Sequence, residues 1–181
     1  MSDVTRILND GSSNAAERLL PILYDELRRL ATDRMAAEKP RQTLSPTGLV
    51  HEAWLWLAGQ DDDWESRRHF FGAAAEAMRR VLIDNARRKL TAKRGGGHKL
   101  ADFDIEALED SPDDERLIEL NDALSKLAEV DSTKAELVKL RYFAGCSIQE
   151  AAELLGISTA TADRYWAYSR AWLQTEMNAD P

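Results

Sequence analysis

Apolar residues recur every three or four positions through most of the chain, a spacing that places them on one face of an α-helix. The apolar–polar alternation that is typical of strands is absent, and β-branched residues are sparse. The first helix is predicted over residues 15–31, with an apolar face of Leu19, Leu20, Leu23, Leu27 and Leu30. The pattern therefore predicts an all-α fold.

Two further helices are predicted before residue 90. Ser45 suits the cap of a helix that starts at Pro46, since serine accepts free amide hydrogens of the first turn and proline needs no N–H there. The apolar stripe of this helix is Leu49, Val50, Ala53, Trp54 and Leu57, with Trp56 off the stripe. The next helix, from about Ser66 to Lys89, has an apolar face of Phe70, Ala74, Ala77, Met78, Val81 and Leu82.

The apolar pattern lapses between Leu90 and Asp113. Three consecutive glycines (95–97) and an acidic, turn-like run (110–114) lie in this interval. We therefore predict two small helical domains joined by a flexible linker. The predicted division is residues 1–92, a linker over 93–113, and residues 114–181 with four helical stretches.

Residues 147–173 carry the signals of two helices joined by a tight turn. Ser147 and Glu150 have the spacing of a capping box, which marks a helix start. Gly156 suits a left-handed helix stop, and Ser158 suits the cap of the next helix. This order matches a helix-turn-helix, whose second helix enters the major groove of DNA. An αα-hairpin that only packs is the plainer alternative.

The second of these helices is predicted to turn Ala162, Trp166, Ser169 and Leu173 inward and Ala160, Asp163, Arg164, Ala167 and Tyr168 outward. Arg164 is the best candidate for reading bases, because its planar fork can bond guanine twice. Tyr168 and Arg170 suit contacts to phosphate or sugar. Asp163 repels phosphate, yet its carboxylate can accept a hydrogen bond from cytosine.

The charge distribution changes how the net charge of −8 is interpreted. Residues 67–99 hold ten basic and two acidic residues, a net charge of +8, whereas residues 101–136 hold three basic and thirteen acidic residues, a net charge of −10. The basic block is the natural surface for phosphate, because local fields depend on distribution rather than on the total. A solvated helix followed by a flexible tail is the alternative.

Other classes of function find little support. The single cysteine, Cys146, excludes an intrachain disulfide, and His51, His69 and His98 are far apart, so we expect no metal and no cofactor. The glycine run is not followed by Lys-Ser or Lys-Thr, and no catalytic motif is present, so we expect no enzyme. Without a long apolar stretch or a secretory signal, a cytoplasmic protein that does not enter membranes is expected.

Four segments resemble the sigma-70 family of RNA polymerase sigma factors, specifically its extracytoplasmic-function (ECF) group. Residues 23–30 (LYDELRRL), 47–57 (TGLVHEAWLWL) and 69–88 (HFFGAAAEAMRRVLIDNARR) resemble the first sigma domain, and residues 137–142 (LVKLRY) with the helix-turn-helix resemble the second. The resemblance implies a protein that binds core RNA polymerase and directs promoter-specific initiation, with promoter melting by the first domain.

The resemblance also implies roles for particular residues. The polymerase contacts would be His51, Glu52, Leu55 and Trp56. The contacts to the downstream, minus-ten element would be Trp64, Phe71, Arg79, Arg80, Asn85, Arg87 and Arg88. The contacts to the upstream, minus-thirty-five element would be Ser158, Thr159, Asp163, Arg164, Ala167, Tyr168 and Arg170. Phe70, Trp54 and Leu57 are assigned to the core instead, because they lie on apolar stripes.

The implied partners are promoter DNA and core polymerase, through the clamp helices of its β′ subunit and the flap of its β subunit. Relatives are often held by an anti-sigma factor, although no residue here identifies one. Two alternatives stay open at the level of sequence. One is a helix-turn-helix regulator that binds a palindromic duplex without polymerase. The other is an adaptor whose basic helix meets an acidic partner.

Overall fold

The computed structural model describes residues 46–58, 66–92 and 114–179. Six helices form this part of the chain: α1 (Pro46–Ala58), α2 (Arg67–Ala92), α3 (Asp114–Val130), α4 (Ser132–Tyr142), α5 (Ile148–Leu155) and α6 (Thr159–Asn178). No strand occurs among the described residues, and the all-α prediction is confirmed. The helix predicted over 15–31 and the linker predicted over 93–113 lie outside the described residues.

The first apolar cluster lies between α1 and α2 and continues into the C-terminal helices. Leu49, Val50, Ala53 and Leu57 of α1 are buried as predicted, while Trp54 is half-buried. They pack with Phe70, Phe71 and Met78 of α2, and the same cluster includes Leu137 and Leu140 of α4 and Leu155 of α5. The assignment of Phe70 and Leu57 to the core is confirmed.

The second apolar cluster is centred on α3. Leu120, Leu124 and Leu127 of α3 are fully buried, and they pack in one cluster with residues of α2, α4 and α6. The contribution of α2 is Ile83 and Ala86, one turn apart on the face of the helix that meets α3. Helix α2 thus takes part in both clusters and connects the two predicted domains.

Polar contacts reinforce the packing of α2 against α3 and α4. Glu76 pairs with Lys139, with Oε2 and Nζ 3.1 Å apart, and Arg68 pairs with Glu136 at 2.9 Å. Arg79 donates a hydrogen bond to the side chain of Asn121 on α3. The regions predicted as separate domains therefore contact each other through apolar and charged groups alike.

Candidate nucleic-acid and polymerase interface

The turn between α5 and α6 is built from the local signals that the sequence contains. Ser147 Oγ accepts a hydrogen bond from the Glu150 amide at 3.2 Å, and Glu150 Oε2 accepts one from the Ser147 amide at 2.8 Å. Gly156 ends α5 in the left-handed region, with φ of +68°. Ser158 begins α6 by accepting a hydrogen bond from the Thr161 amide at 3.1 Å. The capping box, the left-handed stop and the second cap are all confirmed.

Helix α6 presents one face to the core and the opposite face outward, as predicted. Ala162, Ser169 and Leu173 are buried and Trp166 is half-buried. The exposed side chains of the outward face are Ala160, Asp163, Arg164, Ala167 and Tyr168, preceded by exposed Ser158 and Thr159. Arg170 is half-buried and lies at the border of this face, so it is less accessible than Arg164. We call these outward residues of α6, from Thr159 to Tyr168, the α6 outer face.

Two residues without a predicted role, Thr161 and Lys134, contact side chains of the α6 outer face. Thr161 Oγ1 accepts a hydrogen bond from Arg164 Nη2 at 3.3 Å and lies 2.9 Å from Ser158 Oγ. Lys134 of α4 places its ammonium 4.9 Å from the ring centroid of Tyr168. The three-residue spacing of Thr161 and Arg164 on one helix could have revealed the first contact. The contact of Lys134 with Tyr168 is between two different helices, so no local sequence signal predicts it.

Helix α1 presents a second exposed surface. His51 and Glu52 are exposed, and the apolar residue Leu55 is 59 % exposed. Trp56 is half-buried beneath Arg80 of α2, whose guanidinium carbon lies 5.1 Å from the ring centroid. These four residues of α1 form a continuous ridge, which we call the α1 ridge.

Helices α1 and α2 enclose an open groove beside the α1 ridge. Its lining includes Glu52 from α1 and Val81, Asp84, Arg87 and Arg88 from α2. Arg87 and Arg88 are exposed near the C-terminal end of α2, and Asn85 is half-buried. Residues predicted for polymerase binding and for DNA binding thus meet at one groove.

A family model described as "ECF sigma factor" matches residues 1–179 of the chain. The chain belongs to the ECF sigma factor family. As an ECF sigma factor it directs transcription initiation, with core RNA polymerase and promoter DNA as its partners. Comparisons with curated proteins and with solved structures gave no significant match. None of the described helices is long and apolar enough to cross a membrane.

Two residues expected at the downstream element of this ECF sigma factor, Phe71 and Arg79, are largely buried. Phe71, expected to offer its ring to a base, is 1 % exposed and packs edge-on against Phe70, with ring centroids 5.5 Å apart. The expectation that its ring is exposed is therefore wrong. Phe71 lies in the core, because both phenylalanines at the start of α2 pack in the first apolar cluster. Arg79 has a side chain only 17 % exposed, held by Glu76 and Asn121. Trp64 lies outside the described residues.

Glu76 is the centre of a charged network in this sigma factor. Its carboxylate accepts hydrogen bonds from Arg79 Nη2 at 2.6 Å and from Arg80 Nε at 3.4 Å, and it pairs with Lys139. Burial raises the pKa of Glu76, but the hydrogen bonds and positive charges of Arg79 and Lys139 outweigh burial and lower the pKa to about 2. The carboxylate therefore stays ionised at neutral pH and links α2 to α4.

Proposed function

We propose that this ECF sigma factor grips a promoter at two places while it is docked on core polymerase. The α6 outer face binds the upstream element as duplex, and the first domain captures the non-template strand of the downstream element. The observation that carries this proposal is the outward exposure of Arg164, Ala167 and Tyr168 on the helix that follows the turn at Gly156 and packs against α5 with its opposite face. A major groove admits one helix with such a face.

The residues proposed to contact the upstream element have two roles. One recognises bases, and the others hold the helix in position on the DNA backbone. Arg164 would read a base edge, because a guanidinium can bond the N7 and O6 acceptors of guanine together. Ser158 and Thr159, exposed at the start of α6, would contact phosphate with hydroxyls and amides at the positive end of the helix. Tyr168 and Arg170 would contact sugar or phosphate. Exposed Asp163 disfavours phosphate nearby and favours a cytosine amino group.

The downstream contact rests on the exposed basic end of α2. Arg80, Arg87 and Arg88 are exposed and would hold the backbone of the strand, with Asn85 next to them. An unstacked base is stabilised by an aromatic surface, at about 1–3 kcal/mol per base. Trp64 would supply such a surface, whereas Phe71 would first have to leave the core. Strand capture of this kind favours melting without ATP.

The α1 ridge would dock on the clamp helices of β′, and the second domain on the flap of β. Exposed Leu55 offers apolar contact, and Glu52 offers a charge to a basic partner. The stack of Arg80 on Trp56 connects this contact to the downstream DNA surface. The chain itself would bind polymerase and promoter DNA and would supply no catalytic group to the synthesis of RNA. Since polymerase and promoters lie in the cytoplasm, we expect it to act there.

The test is transcription with purified components. The chain is mixed with active core polymerase and a promoter library, and the transcripts are sequenced. We expect initiation that depends on the chain at a limited promoter set, and loss of that initiation with Glu52→Lys on the α1 ridge. Initiation at no promoter would overturn the proposal. Tight binding of a palindromic duplex by the chain alone would instead support a regulator that works without polymerase docking.

A further inference from the structure

Lys134, near the start of α4, lies against two tyrosines of α6. Its ammonium is 4.5 Å from the ring centroid of Tyr165 and 4.9 Å from that of Tyr168. The tyrosines are three residues apart, so their rings lie on neighbouring turns of one helix. A cation near an aromatic face is attracted by the negative charge above the ring. One lysine therefore contacts both rings.

The position of the Lys134 side chain is fixed from its own helix as well. Asp131 caps α4 by accepting a hydrogen bond from the Lys134 amide at 3.0 Å, and its second oxygen pairs with the Lys134 ammonium. Only 18 % of the lysine side chain is exposed. The hydrogen bond that the Lys134 ammonium donates to Asp131 is the main cause that raises the pKa of Lys134, so the ammonium stays charged.

The contact bears on DNA binding because the two tyrosines differ in exposure. Tyr165 is half-buried, whereas Tyr168 is 47 % exposed at the edge of the α6 outer face. An exposed tyrosine can rotate about two side-chain torsions, and a fixed cation beside its ring restricts that motion. The Lys134 charge itself is already matched by Asp131, so it has little to offer a phosphate.

We propose that Lys134 is a positioning residue for promoter recognition: from α4 it holds the ring of Tyr168 in the orientation that the upstream element meets. This inference rests on the proposed function of the α6 outer face. It assigns a role to a residue that lies outside the helix-turn-helix. It also predicts a particular dependence on salt, because positioning changes affinity without changing the number of phosphates that are neutralised.

The experiment measures binding of the holoenzyme to promoter duplexes at several salt concentrations, with wild-type and single-base variants of the upstream element. Lys134→Met removes the cation and keeps a chain of similar length, while Lys134→Arg keeps a cation. Lys126→Met is the matched control, because it removes a lysine that also pairs with α6, at Glu176, far from the tyrosines. Thermal unfolding of each variant separates misfolding from loss of contact.

We expect Lys134→Met to weaken binding about two- to fivefold, the range of an exposed cation–π contact, with an unchanged slope of affinity against salt. Lys134→Arg should restore most of the loss, and Lys126→Met should cause none. In combination with Tyr168→Leu, Lys134→Met should add nothing further, since both remove the same contact.

Two results would overturn the inference. One is a salt slope that falls by about one, which would make Lys134 a phosphate contact. The other is a double variant whose loss of affinity equals the product of the losses for Lys134→Met and Tyr168→Leu alone, which would make the two residues independent. If instead Arg164→Ala and Tyr168→Leu both leave upstream binding unchanged, the proposed function of the α6 outer face fails, and the inference fails with it for that separate reason.

Discussion

Arg164 is the residue of the α6 outer face whose chemistry best suits base reading. Its Nη2 donates a hydrogen bond to Thr161, which leaves the rest of the guanidinium for DNA. We expect Arg164→Ala to cost about 1–3 kcal/mol of discrimination at one or two upstream bases, because a bidentate contact is lost. The measurement is holoenzyme binding to a set of single-base promoter variants.

Gln174→Ala is the control for Arg164→Ala, because Gln174 is exposed on the same helix beyond the α6 outer face. It should leave every promoter variant unchanged. Weakening of all variants by the same factor after Arg164→Ala would contradict base reading, since a phosphate contact carries no sequence information.

Glu76 makes the stability of this protein depend on pH. Its folded-state pKa of about 2 lies below the ordinary value of 4.5. The stabilisation is therefore fully present above about pH 5 and is lost as the pH falls towards 2. We expect Glu76→Gln to lower the free energy of unfolding by about 1–3 kcal/mol at neutral pH, because Arg79 and Lys139 lose a charged acceptor.

The pH dependence of Glu76→Gln can be followed by urea unfolding from about pH 7 to about pH 3. The difference in unfolding free energy between wild type and variant should narrow below about pH 5, because the unfolded wild-type chain takes up a proton at the ordinary pKa of 4.5 while the folded carboxylate, with a pKa of about 2, stays ionised. Glu115→Gln, at an exposed position of α3, should show a smaller gap at neutral pH. If the difference in unfolding free energy between wild type and Glu76→Gln is the same at about pH 7 and at about pH 3, the ion pairs of Glu76 do not stabilise the fold as described.

The turn that joins α5 and α6 depends on one backbone conformation. Gly156 has φ of +68°, and a Cβ added there would meet nothing within 4 Å. Gly156→Ala should therefore destabilise the fold by about 1–2 kcal/mol through backbone strain alone, without a clash. Thermal unfolding measures this, and Gly156→Asn should cost less, because asparagine tolerates the left-handed region. An unchanged or higher Tm for Gly156→Ala would be inconsistent with this geometry.

The helices themselves follow from local sequence, with one instructive exception. Pro46, Ser147 and Ser158 predict the starts of α1, α5 and α6 correctly, because capping groups act on the backbone of neighbouring residues. Phe71 is buried, whereas the family resemblance implies an exposed ring that can contact a base. The width of the buried face of α2 depends on what packs against it, and here α1 and α4 cover more of the helix than its periodicity implied.

The packing of α2 against α3 and α4 conflicts with a simultaneous grip on both promoter elements. The names of the minus-thirty-five and minus-ten elements imply centres about 25 base pairs apart, which is about 85 Å in B-form duplex. In the structure, Arg68 of α2 and Glu136 of α4 are 2.9 Å apart. The proposed function therefore requires these contacts to open in the complex of polymerase and promoter, with the predicted linker spanning the gap.

Fluorescence energy transfer measures this separation directly. Thr91 of α2 and Gln174 of α6 are exposed positions for cysteine substitution and labelling, and the native Cys146 is buried. We expect the transfer efficiency of the free chain to fall when core polymerase and promoter are added together. Efficiency that stays constant in a complex competent for initiation would show that the packed arrangement persists.

Sequence alone determined the all-α fold, the described helices, the turn at Gly156 and the side of α6 that holds Arg164, because periodicity and capping are local. The family resemblance, carried by short motifs, was confirmed over residues 1–179. Only the tertiary structure determines which side chains are buried and which charged side chains pair with one another. Two of these features are contacts between different helices: the pairing of Glu76 with Lys139 and the contact of Lys134 with Tyr168. The third, the burial of Phe71, depends on which helices pack against α2. Spacing along the chain does not specify such contacts, since they arise only when distant segments pack.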